Sequence, residues 1–227
     1  NKYKADNWRD CWLGAMRENN TAAYADLYSL NPGFRMKIMQ GGFELESETQ
    51  TRHDLVIPIV VTAIGDYSFG NINEYRSYGL ENLIIGESVT TIGKDAFSYN
   101  KLTTLVLPDS LKSIGVEAFE NNKIKRLTLG KNVTSIEYSA FEGNKLKHVV
   151  IPSSVTTIEW GAFEDNEIET VTFENSIETI GPEAFAYNEI KTVTVPMAWK
   201  VSNGFAFNRD VVIQRRYFFC QLFYPFL

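Results

Sequence analysis

Asn100-Lys-Leu-Thr-Thr-Leu-Val-Leu-Pro108 opens a block that closes on Ala118-Phe119, after which the block begins again. Phenylalanines stand at Phe97, Phe119, Phe141, Phe163, Phe185 and Phe207, each 22 residues after the last, and an alanine precedes every one. Asparagine follows three residues later at Asn100, Asn122, Asn144, Asn166 and Asn188. Isoleucine falls five residues before the Phe at Ile64, Ile92, Ile114, Ile136, Ile158 and Ile180. A strict internal period marks a stack of like units.

Between the markers lie short alternating segments: Leu105-Val106-Leu107, Leu127-Thr128-Leu129, Val149-Val150-Ile151 and Val171-Thr172-Phe173. Period-two alternation in such residues predicts a strand with one buried face. Pro58, Pro108, Pro152 and Pro196 close these segments, because proline brings no backbone donor to a ladder. A second apolar element follows, as in Val133-Thr-Ser-Ile136 and Val155-Thr-Thr-Ile158. The Ala-Phe pair then suits one helical or 3-10 turn. A unit this short cannot bury its apolar side alone, so each Leu, Ile and Phe must rest on its counterpart in the next coil. Strands of neighbouring coils then lie about 4.8 Å apart. Each coil adds about five buried apolar side chains, each worth roughly 1.5–3 kcal/mol. Strands near Leu55, Leu83, Leu105, Leu127, Val149, Val171 and Val193 give seven coils.

The expected fold is therefore a β-rich solenoid over residues 54–210. Residues 1–53 form an N-terminal cap, and 211–227 an aromatic C-terminal cap or interface tail. In the first segment Trp8, Cys11, Trp12, Ala15 and Met16 fall at helical spacing after Asn7. Thr21 starts a second helix, stopped at Asn31-Pro32-Gly33. Phe34, Met36 and Ile38 then alternate, as do Phe43 and Leu45, which predicts a hairpin turning on Gly41-Gly42. The tail Tyr217-Phe-Phe-Cys-Gln-Leu-Phe-Tyr-Pro-Phe-Leu227 either folds over the last coil or joins a second copy or partner. From Phe69 to Phe97 the step is 28 residues. The extra residues around Tyr75, Arg76 and Tyr78 form a loop, read either as decoration or as a binding patch.

With those blocks in view, Asn100-Lys-Leu-Thr-Thr-Leu-Val-Leu-Pro108 and Val155-Thr-Thr-Ile-Glu-Trp-Gly-Ala-Phe163 resemble BspA-like leucine-rich repeats. The resemblance runs from about Asp54 to Phe207. It departs from the commoner leucine-rich pattern in that Asn precedes the strand. It implies a bacterial surface or secreted, hence extracellular, protein that adheres to host or neighbouring-cell proteins. No residue role is fixed across such repeats, so none is carried over.

Chemistry finds little support in the residues. There is no phosphate-cradling Gly-Lys-Ser/Thr loop, no His pair at zinc spacing and no nucleophile elbow. His53 and His148 fall several coils apart, so they serve neither a shared metal nor an acid–base pair. The carboxylates of Glu164-Asp165 and Glu167-Glu169 sit in a turn, and their oxygens are expected not to recur from coil to coil as calcium would need. The Asn row is expected to hydrogen-bond turn backbones. No catalytic residue, metal or cofactor is expected. The net charge of −6 weighs against nucleic acid, and no apolar run reaches a membrane span. Cys11 and Cys220 are too few for a disulfide framework. The chain starts at Asn1, which leaves a removed leader or tag open.

What the alternation does expose is a stripe. Thr104 and Val106, Arg126 and Thr128, His148 and Val150, Thr170 and Thr172, Thr192 and Thr194 all point outward. That stripe is the expected site for a protein ligand. Tyr138 and Trp160 hold equivalent positions in adjacent coils and form either a second patch or covers for their own turns. With Tyr187 they motivate the alternative function, a carbohydrate-binding accessory.

Overall fold

The computed structural model describes strands 34–39 and 42–47, and then residues 54–57, 61–70, 79–174, 177–196, 200–201 and 205–216. The expected helices around Trp8 and Thr21, the loop bearing Tyr75, Arg76 and Tyr78, His53, and the tail 217–227 lie outside the described residues. From Asp54 to Arg216 the chain is a parallel β-solenoid. One sheet has seven rungs in chain order, from Ala63–Ile64 through Ser135–Ile136 to Lys200–Val201. A second row of strands follows the Leu-x-Leu segments and pairs in parallel: Asp54–Ile57 with Asn82–Ile85, Thr104–Val106 with Arg126–Thr128, His148–Ile151 with Thr170–Phe173. Thr192–Pro196 pairs in the same way with Val212–Arg216, so the row runs on past residue 210.

Repetition translates directly into packing. Phe69, Phe97, Phe119, Phe141, Phe163, Phe185 and Phe207 form a single file with ring centroids 5.1–5.5 Å apart and nearly parallel planes. Phe69 stacks on Phe97 at 5.2 Å despite the longer step between them. The added residues therefore leave the stack unbroken. Ile92, Ile114, Ile136, Ile158 and Ile180 form a second buried file, and the alanine before each Phe from Phe97 to Phe207 is buried between coils.

The Ala-Phe segment corrects one expectation. It is a tight turn, and no helix occurs among the described residues. The Phe N–H groups donate to the Ala carbonyl of the next coil (Phe97 to Ala118, Phe119 to Ala140, Phe141 to Ala162, all within 2.8–2.9 Å) and so are not available for helical bonds. Asp95, Glu117, Ser139, Gly161 and Glu183, two residues before each Phe, also sit at φ between 49° and 63°. Left-handed backbone at that slot ends any helical run.

A second correction concerns the hairpin. Phe34–Met39 and Gly42–Ser47 do pair antiparallel, but Met39 lies opposite Gly42. Gly42 therefore belongs to the second strand. The observed register sets Ile38 against Phe43 and Met36 against Leu45.

Candidate interaction surface

The Leu-x-Leu strands point Leu105, Val149 and Val193 into the core and leave their neighbours outside. Strand register then lines the outward residues into two rows. Thr104, Arg126, His148, Thr170 and Thr192 form one; Val106, Thr128, Val150, Thr172 and Thr194 form the other. All are exposed except Thr104, which is half-buried. Neighbours within the first row touch: Arg126 Nη2 donates to Thr104 Oγ1 at 3.5 Å, and His148 Nδ1 shares a proton with Thr170 Oγ1 at 2.8 Å. These bonds tie the row together in two pairs of neighbouring coils.

The rows reach further than the sequence reading took them. Asp54 and Asn82 extend the first, bonded through Asn82 Nδ2 to Asp54 Oδ1 at 2.6 Å. Val56 and Ile84 extend the second. Ile84 is 62% exposed, Val106 58% and Val150 52%. The signal was present in Asn82-Leu-Ile-Ile85, whose alternation matches that of its neighbours.

Tyr138 and Trp160 come together edge to face, with ring centroids 6.0 Å apart. Trp160 Nε1 donates to Glu183 Oε2 of the next coil at 2.9 Å, so the indole bridges two coils. Tyr138 stays 42% exposed and Trp160 49%. Tyr187 is exposed elsewhere.

The Asn row is internal. Each side chain, buried, accepts from a backbone N–H of the preceding coil and donates to the Phe carbonyls of both coils. Asn122, for example, accepts from Leu102 N–H at 3.2 Å and donates to Phe97 and Phe119 carbonyls at 2.9 and 3.2 Å. That is a structural role.

Carboxylates, however, do recur. Glu120, Glu142 and Glu164 each follow a stacked Phe, and the charge of Glu142 acts on both neighbours across coils, while the pairs Glu164-Asp165 and Glu167-Glu169 do not repeat as pairs. Sequence reading missed them because it looked for paired carboxylates within a coil, whereas the signal was the residue after each Phe. Burial, and then the charges of Glu142, Glu117 and Asp95, push the half-buried Glu120 carboxyl up to about 7. Burial likewise raises Asp95 to about 6, with Glu117 adding to it while Ser98 and Lys94 oppose it. Glu164 is raised by burial and by Glu142, Glu183 and Asp165. Among the described residues no three His, Cys, Asp or Glu side chains converge as metal ligands would.

These shifts predict a pH response. A carboxyl raised in the folded state binds more protons there than in the unfolded chain, so its stabilisation is complete below the ordinary carboxylate range. It is lost as pH rises through the raised values, to about 7 for Glu120. The thermal midpoint should therefore fall by a few degrees from about pH 5 to about pH 8. Glu120→Gln should flatten that slope. An equally steep slope in the variant would place its origin elsewhere.

A family model described as the BspA type leucine rich repeat region matches residues 46–166 in 6 copies. No curated protein matches the chain. Among solved structures the fold is similar to the pneumococcal vaccine antigen PcpA, with a TM-score of 0.50 and 18% identity over 66% of this chain and 46% of that one. A leucine rich cell surface protein from Faecalibacterium prausnitzii A2-165 aligns with TM-score 0.46 and 19% identity, over 72% of this chain and 60% of that one. A leucine-rich repeat protein from Bacteroides ovatus ATCC 8483 aligns with TM-score 0.47 and 22% identity, over 79% and 58%. The chain spans between 46% and 60% of the length of these proteins. With the family model covering more than half of its length and the Phe and Asn files running through that span, the chain belongs to the BspA type leucine-rich repeat family.

Proposed function

We propose that this protein is a non-enzymatic interaction or adhesion module of a bacterial cell-surface or secreted protein, docking a protein ligand through the exposed strand rows. In this reading residues 1–53 cap one end of the solenoid, and the segment after residue 210, whose Val212–Arg216 strand continues the outer row, closes the other. The observation that carries it is the rigid stripe, in which Arg126, His148 and the threonines sit beside bare Val106 and Val150. Parallel rows along an axis suit a partner lying across them. Catalysis needs groups that converge on one point, and a ladder spreads them out. PcpA is a vaccine antigen and the F. prausnitzii protein a cell-surface protein, and the same setting suits this chain. No helix among the described residues is long and apolar enough to cross a membrane.

The test is a triple replacement, Arg126→Ala with His148→Ala and Thr170→Ala, against a panel of purified host extracellular-matrix proteins. Hot-spot truncations cost about 2 kcal/mol each, so the variant should bind its ligand at least ~30-fold more weakly with an unchanged melting curve. Retained affinity would remove the stripe from the account. A carbohydrate-binding accessory is the second reading, favoured by the half-exposed Tyr138–Trp160 pair held by Glu183. Glycan-array signals abolished by Trp160→Ala would transfer the function to that pair.

A further inference from the structure

Beside the strand rows, on the approach from each buried Asn, the coils carry a second file. Lys101, Lys123 and Lys145 occupy one position in three successive coils, and Lys125 and Lys147 a neighbouring one. All are exposed, as is Arg126 next to them. Their backbones are locked coil to coil: Lys123 N–H donates to the Leu102 carbonyl at 3.0 Å, Lys125 to Thr103 at 2.9 Å and Lys145 to Ile124 at 3.0 Å. Lys145 and Lys147 are met by Glu167 and Glu169 of the following coil at 3.4 and 3.3 Å. Lys101, Lys123, Lys125 and Arg126 have no carboxylate partner among the described residues. On a chain of net charge −6, four such cations in two adjoining coils are a local excess.

We propose that this file is a second binding site, for a linear anionic polysaccharide, carboxylated or sulfated, lying along the solenoid axis. Charge complementarity selects an anion, and the repeat selects its kind. The N–H groups of Lys123, Lys125 and Lys145 already bond to the preceding coil, so an extended peptide finds no open strand edge to add to here, whereas an anionic polysaccharide lying across coils about 4.8 Å apart is held through its charges alone. Lysines dominate the file, and their compact charges on flexible stems suit repeated anions of varied geometry better than a bidentate fork would. Glu167, Glu169 and Glu189 close the far end.

Calorimetry on the full chain would compare sulfated heparin oligosaccharides, oligogalacturonate, neutral dextran and poly-L-glutamate of matched charge. At least one of the two anionic glycans should bind, more weakly as salt rises, with dextran silent. The two glycans tell sulfate from carboxylate recognition. Lys101→Glu with Lys123→Glu and Lys125→Glu should weaken binding on the order of tenfold or more, since repulsion replaces attraction. Glu167→Lys with Glu169→Lys frees Lys145 and Lys147 and lengthens the file by one coil. It should tighten binding, a gain that misfolding cannot imitate. Poly-L-glutamate binding as tightly as the glycans, no glycan binding at low salt, or an unmoved affinity in either variant would each overturn the site. These variants leave His148, Thr170 and Arg126 in place, so a protein ligand of the strand face should still bind them, whereas the strand-face triple variant, which removes Arg126, should weaken both ligands.

Discussion

Phe141→Ala will lower the stability of this protein by about 3–5 kcal/mol, the range for deleting a buried aromatic ring. The ring is fully buried, 5.5 Å from Phe119 and 5.3 Å from Phe163. Its neighbours cannot close the gap. Phe119 N–H is tied to the Ala140 carbonyl at 2.9 Å and Phe141 N–H to Ala162 at 2.8 Å, so the coil spacing is set by backbone bonds that the substitution leaves intact. The cavity therefore persists. For a chain of this size a loss of 1 kcal/mol moves the thermal midpoint by about 2–4 °C, which places the expected drop near 10 °C. Phe141→Leu refills most of the volume and should cost less than half as much. A drop of under about 3 °C for Phe141→Ala would mean that the file is not what holds the coils together.

How much of this was readable beforehand depends on whether a feature repeats in residue type. Phe, Ala, Ile and Asn occupy buried slots with one acceptable size or hydrogen-bond pattern, so the same letter returns every 22 residues and the solenoid follows. The outward rows were readable too, because alternation requires only that Leu105 and Leu107 be inside. The turn was not. Its left-handed slot is filled by Asp95, Glu117, Ser139, Gly161 and Glu183, types that share no signal. Ala-Phe read locally is compatible with a helical turn, and the left-handed slot together with the bond from Phe to the next coil decides against it. The carboxylate row Glu120, Glu142 and Glu164 repeats in letter, yet the weakened acidity of Glu120 and Glu164 comes from burial between coils. Neither effect is local. The same holds for Trp160, whose partner Glu183 lies in the adjacent coil.

Asn144→Asp will be as damaging as the loss of the ring, for a change of one atom. Asn144 is 1% exposed. Its Oδ1 accepts from Ile124 N–H at 3.0 Å, and its Nδ2 donates to the carbonyls of Phe119, Phe141 and Glu142 at 2.9, 3.1 and 3.2 Å. An aspartate keeps the acceptor but turns a second oxygen toward three carbonyl oxygens, so a buried charge faces only negative dipoles. Alanine removes both ends and orphans the Ile124 N–H, at about 1–3 kcal/mol for a buried group left unpaired, while the Phe119 and Phe141 carbonyls keep one amide each, from Asn122 and Asn166. A loss of about 3 kcal/mol or more is expected for Asn144→Asp at neutral pH, and about 1–3 kcal/mol for Asn144→Ala. The two then separate on acidification. A protonated aspartic acid regains a donor, so its raised folded-state pKa makes Asn144→Asp recover stability as pH falls, while Asn144→Ala does not. Asn121→Asp supplies the control, since Asn121 is exposed and bonds only to Glu120 through its amide. If Asn144→Asp melts like Asn121→Asp, the amide file is decoration. If instead it melts early and recovers in acid, the Asn bonds and the Phe stack act on the same turn, and combining Asn144→Ala with Phe141→Ala should cost less than the sum of the two, because each already loosens the contact the other needs.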